Sequence, residues 1–228
     1  MIFSRRDPVI RTTPILDLRP TQMTVGMHEV ERKRRSWGDK GADAKADVLE
    51  KHMVPVVLGP GGGRFITDHH HLARALLEDG QKSVFVTIVG DLSKADPEYF
   101  WNLMDYHGWT HPYDENGRRC AYGDLPKTVK GLKDDPYRAL SGALRQQGGF
   151  AKDSTPFSEF VWADYFRKRI KVKALEKDYE GAVQEALRLA KEAAADYLPG
   201  WCGPHSASKP APAEVEAKKP KKKGAKAE

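Results

Sequence analysis

The spacing of apolar residues along this chain alternates between strand-like and helix-like patterns before it becomes mostly helical. Apolar, β-rich runs at Val56-Val57-Leu58 and Phe65-Ile66 flank a glycine stretch and predict two short strands. The stretch 83–92, bounded by Gly80 and an Asp turn, predicts another. Pro14-Ile15-Leu16-Asp17-Leu18 reads as one more short strand. Two segments rich in Glu, Lys, Arg and Ala and free of proline, 25–37 and 44–53, predict helices, and a third helix starts near His69. From residue 97 the pattern becomes mostly helical. Asp96-Pro97-Glu98 combines an N-cap with proline at the first helical position, and Tyr99, Phe100, Leu103 and Met104 form an apolar face. Further helices are predicted over 126–133, 136–147, 158–170 and 179–198. No internal repeat is visible.

This order predicts an α+β protein. A small mixed sheet with helices would occupy 1–95, an α-helical half packed on it 96–202, and a Lys/Pro/Ala-rich disordered tail 203–228. The net charge of +6 divides unevenly, because 203–228 holds seven Lys against three Glu. The body is therefore near neutral, and its charge does not imply a strongly cationic nucleic-acid groove. Lys218-Lys219-Pro220-Lys221-Lys222-Lys223 could touch DNA or another anionic surface weakly. No apolar run approaches the roughly 20 residues of a membrane span, and no signal-peptide pattern opens the chain, so a cytoplasmic protein with no membrane partner is expected. Cys120 and Cys202 lack metal-binding spacing and read as free thiols.

The chemistry concentrates in 59–76. Gly59-Pro60-Gly61-Gly62-Gly63 is not a phosphate loop, since it joins two strands and opens no helix; it reads as a hairpin turn. Thr67-Asp68-His69-His70-His71 sits instead at the mouth of a helix, where unpaired amides favour phosphate. A metal is the other reading of this cluster. Three consecutive His cannot all reach one ion from a helix, so Asp68 and His70 are the metal candidates, with His107 or His111 as distant helpers.

Several strings together resemble the ParB-like nuclease group of the ParB/sulfiredoxin superfamily. They are Leu18-Arg19-Pro20-Thr21-Gln22, Val25-Gly26, Glu29-Val30, and the run from Ile66 through Asp68-His69-His70-His71 to Leu76. Asp134-Asp135-Pro136-Tyr137-Arg138-Ala139-Leu140 and Phe157-Ser158-Glu159-Phe160-Val161-Trp162-Ala163-Asp164 add to the likeness, which spans about 12–170. The resemblance implies a small ParB/sulfiredoxin mixed sheet whose strand-to-helix turn holds nucleotide phosphates. By that resemblance Asp68 is the motif's acid, His70 and His71 are its two histidines, and Glu29 is the candidate base. Thr67, His69, His70, His71, Arg74 and Arg19 are the candidate phosphate-binding residues, with ATP, ADP or CTP as ligand and Mg²⁺ as cofactor.

This chain also departs from the group's pattern. His69 stands where the motif often has glycine, so the turn lacks the residue that adopts positive φ freely. Leu72 replaces the phosphate-binding arginine, and Arg74 lies two residues further on. The motif contains no cysteine, which argues against sulfinic-acid reduction, and no helix-turn-helix is visible. The expectation is a nucleotide-binding enzyme that hydrolyses a nucleoside triphosphate or transfers its phosphoryl group. A metal-dependent nuclease and a non-enzymatic nucleotide-gated interaction module are the alternatives.

Overall fold

A computed structural model describes residues 10–203. The chain begins with strand β1 (Ile10–Pro14), a 3-10 turn (Ile15–Asp17), β2 (Leu18–Pro20) and β3 (Thr24–Val25). Helices α1 (Met27–Gly38) and α2 (Ala42–Lys51) lead to β4 (Val54–Leu58), β5 (Arg64–Ile66), α3 (His70–Glu78) and β6 (Ser83–Asp91). Then come α4 (Pro97–Tyr106), β7 (Lys133–Asp134), α5 (Pro136–Gln146), α6 (Ser158–Arg167), α7 (Val172–Lys177) and α8 (Tyr179–Ala190). The 203–228 tail expected from composition lies outside the described residues from 204 onward. Among the described residues no helix is long and apolar enough to cross a membrane.

Five strands form one mixed sheet in the order β1-β6-β4-β5-β2. β4 and β5 are an antiparallel hairpin closed by the glycine run, whose Gly61 and Gly62 have φ of 64° and 78°. The β2–β5 and β4–β6 pairs are parallel, and β1 runs antiparallel to β6. β3 and β7 make a separate two-stranded parallel pair.

Side-chain alternation on β4 sorts the core. Val54 and Val56 join Leu18, Val25, Val30, Ile66, Leu76 and Val86 on one face, whereas Val57 packs with Phe65, Phe100 and Met104 on the other. A second large cluster lies among the later helices around Leu140, Leu144, Trp162, Phe166 and Val183.

Three local expectations are corrected. The strand expected over 14–18 is broken, because β1 and β2 lie at opposite edges of the sheet and the turn at Ile15–Asp17 carries the chain between them. Ile15 is fully buried there, and its N–H donates to the Lys82 carbonyl. The helix expected over 126–133 is a 3-10 turn (Val129–Gly131) followed by β7. Arg74 explains this: its Nη1 donates to the carbonyls of Val129, Lys130 and Leu132, which a helix would aim along its own axis. The last long helix stops at Ala190, and α7 is an element that the apolar pattern did not indicate.

Candidate functional site

The start of α3 is tied to the β2–α1 connection by two buried imidazoles. His70 is 2 % exposed, and its Nε2 accepts the Thr21 N–H at 3.2 Å. His71 Nε2 accepts the Gly26 N–H at 2.9 Å. A ring nitrogen that accepts carries no proton, so both rings are neutral with hydrogen on Nδ1. Burial, with help from neighbouring His71, lowers the His70 pKa to about 3, and burial beside Arg138 holds His71 well below the usual range. Neither ring brings positive charge to a phosphate at neutral pH.

Thr21 is itself a junction. Its hydroxyl donates to the Ile66 carbonyl at 2.7 Å, and its own carbonyl accepts from the Thr110 hydroxyl and the His111 N–H. The strand end, the α3 start and the 110–111 loop therefore meet at one buried residue.

His69, the residue that stands in for glycine, adopts the left-handed conformation itself, with φ of 64° and ψ of 21°. Such a placement costs an L residue about 1–2 kcal/mol. Its N–H donates to Asp68 Oδ1 at 2.6 Å. No side chain caps α3, and the N–H groups of His70, His71 and Leu72 begin the helix without acceptors among the described residues.

The residues of this turn, 67 to 72, line a cavity of about 710 Å³. Across it stand Glu29, Arg32 and Lys33 from α1, and Arg138 and Arg145 from α5. Glu29 is the hub of this wall. Its carboxylate lies 3.5 Å from Lys33 Nζ, 3.5 Å from Arg138 Nη1 and 3.6 Å from His71 Nε2. Since His71 is neutral, that last approach is not an ion pair. Arg138 lies over the Phe160 ring at 5.3 Å, and its buried Nε has no partner among the described residues.

Close packing of α1 on α5 makes the Glu29–Arg138 pairing possible. A Cβ on Gly26 would meet the Ala139 backbone at 2.5 Å, and one on Gly142 would come within 3.1 Å of both Arg138 and Glu29. Asp135 fixes the start of α5 by accepting the Tyr137 and Arg138 N–H groups.

The cavity therefore gathers Glu29, Thr67, Asp68, His69, His70 and His71 from the residues singled out by sequence. It does not gather Arg74 or Arg19. The Arg74 guanidinium is held by Glu78 and the 129–132 carbonyls, and Arg19 lies over the Phe65 ring. Nor does His70 fit a metal ligand's part, because its Nε2 is already an acceptor. Among the described residues no group of three or more His, Cys, Asp or Glu is arranged to hold an ion.

The family described as "Putative ParB-like nuclease" matches residues 11–168. The chain belongs to the ParB-like nuclease family. It is also similar to the crystal structure of protein Atu1540 from Agrobacterium tumefaciens, at 44 % identity and a TM-score of 0.82, over 86 % of this chain and 98 % of that one. No curated protein matches the chain.

The family match covers β1 to α6, and with them every wall of the cavity named above. Sequence reasoning paired Lys33 with Glu29 four residues apart, but missed Arg138 and Arg145 in the lining of this cavity. Arg138 had a signal: it falls three residues after the Asp135 cap, which orients the first turn of α5. Nothing in the linear order, however, joins it to Glu29, 109 positions earlier.

Proposed function

We propose that this chain is an enzyme acting at phosphate, which binds a nucleoside triphosphate at the α3 N-terminus and hydrolyses it or transfers its phosphoryl group. The observation that carries the reading is the uncapped start of α3, whose residues line one cavity with Arg138 and Lys33. Helix amides and a fixed cation together suit phosphate oxygens. The unpartnered Nε of Arg138 is a donor that a phosphate oxygen would satisfy.

In this reading His70 and His71 act as struts that hold the amides in place, and their neutral Nδ1–H groups serve only as donors. Glu29 takes the proton of the attacking water or acceptor hydroxyl. The attacking oxygen forms a bond to phosphorus, and the bond to the leaving nucleoside diphosphate breaks. Arg138 balances the charge that develops on the phosphoryl oxygens. His70 Nε2 is taken up by the Thr21 N–H and Asp68 Oδ1 by the His69 N–H, so these two residues do not form the ligand set expected for Mg²⁺.

Product analysis after incubation with ATP or CTP tests the reaction. Turnover by the wild type should fall by 10²-fold or more in Glu29→Gln, with binding retained. Equal turnover by both proteins would remove Glu29 from the chemistry.

The family's description favours a second reading, cleavage of a phosphodiester by the same cavity. Nicking of plasmid DNA that is lost in Arg138→Ala, with no nucleoside triphosphate consumed, would select it.

A further inference from the structure

Among the described residues, His69 and Phe157 are the two non-glycine positions with positive φ, at 64° and 58°. Each directly precedes a helix, α3 and α6 respectively, and each lines the same cavity. Glycine would adopt this conformation without strain, and strain of this kind concentrates where a side chain is needed at a ligand. The phosphate reading gives His69 a place. It gives Phe157 none, since a phenyl ring offers phosphate no hydrogen bond.

What Phe157 offers is an aromatic face. The ring is half-buried and backed by His111 at 5.0 Å and Phe160 at 6.2 Å. Phe160 in turn lies under the Arg138 guanidinium, so a continuous line of contacts leads from the phosphate end of the cavity to Phe157. The preceding residue is fixed as well: Pro156 sits against Gly108, where a Cβ would meet it at 3.0 Å. The cavity is of a size that holds a small organic ligand rather than a bare anion.

We infer that Phe157 forms a stacking subsite for a planar ring, so that the cavity takes a phosphorylated compound bearing an aromatic base and discriminates it from ring-free phosphates. The inference rests on the phosphate reading above. Stacking on an aromatic side chain tolerates different bases, and its loss lowers affinity by about tenfold. A purely architectural Phe157, anchoring α6 against His111, would leave ligand preference untouched.

The test is calorimetric titration of the full-length protein with ATP, CTP and inorganic triphosphate. At least one nucleotide should bind about tenfold more tightly than triphosphate. Phe157→Ala should erase that advantage and leave triphosphate affinity unchanged, while Phe157→Tyr keeps it. Should Phe157→Ala fail to fold by circular dichroism, Phe157→Leu retains an apolar side chain against His111 without an aromatic face, and the same loss is expected. A folded variant that keeps the nucleotide preference overturns the inference. Triphosphate binding as tight as both nucleotides also overturns it, and leaves the phosphate reading standing. Binding of none of the three removes both.

Discussion

His71 and Gly26 are joined by a hydrogen bond of 2.9 Å in which the glycine amide donates to the imidazole Nε2. The bond links the first turn of α3 to the residue that caps α1, and therefore sets the distance between the α3 amides and Glu29. A histidine motif that looks like ligand chemistry is, at this position, a brace. His71→Leu removes the acceptor while keeping apolar bulk, and leaves the buried Gly26 N–H unpaired. A loss of about 2 kcal/mol is expected in denaturant unfolding. A loss below about 0.5 kcal/mol would mean that the amide finds another partner.

The same burial makes the fold sensitive to acid. Burial lowers the His70 pKa to about 3 and the His111 pKa to about 4, from an ordinary 6.5. Between those values and 6.5 the unfolded chain takes up protons that the folded chain refuses, so stability falls as pH drops through this window and is unaffected by these groups above it. Each such histidine contributes up to about 1.4 kcal/mol per pH unit there. Unfolding midpoints measured from pH 7 to pH 4 should decline, and less steeply in His111→Phe, which keeps a ring against Tyr113 and Phe160. An unchanged slope in that variant would show that His111 is charged in the folded protein.

Gly142 separates stability from function. Alanine in a helix interior is favoured over glycine by about 1 kcal/mol. Here its Cβ would press on Arg138 Nη1 at 3.0 Å and on Glu29 Oε2 at 3.1 Å. Gly142→Ala is expected to keep or gain stability while lowering turnover by about tenfold, since small misplacements of catalytic groups are costly. Unaltered turnover would show that the Glu29–Arg138 geometry has slack.

Much of the architecture was legible from periodicity and punctuation. The glycine run between two apolar strands read correctly as a hairpin, and Asp96-Pro97 marked the start of α4, where the Asp96 carboxylate accepts the Glu98 N–H. The helix misread at 126–133 failed for a tertiary reason: its carbonyls serve Arg74, more than fifty positions away. The left-handed His69 was illegible because local preference favours glycine there, and only surrounding contacts hold a histidine in that conformation. The roles of His70 and His71 were hidden for a similar reason. The N–H donors that their rings accept come from Thr21 and Gly26 in the β2–α1 connection, 49 and 45 residues earlier. Arg138, which shares the cavity with the start of α3, becomes visible only when α1 and α5 meet at Gly26 and Ala139.

In the proposed mode of binding, nucleotide phosphates sit between the α3 amides and Arg138. The most direct measurement is the affinity of the wild type, Arg138→Ala and Arg74→Ala for ATP and CTP. Binding by the wild type is expected, with a loss of about tenfold or more in Arg138→Ala. No loss is expected in Arg74→Ala, whose guanidinium serves the 129–132 turn. Undiminished binding by Arg138→Ala, or none by the wild type, would rule out this placement of the phosphates.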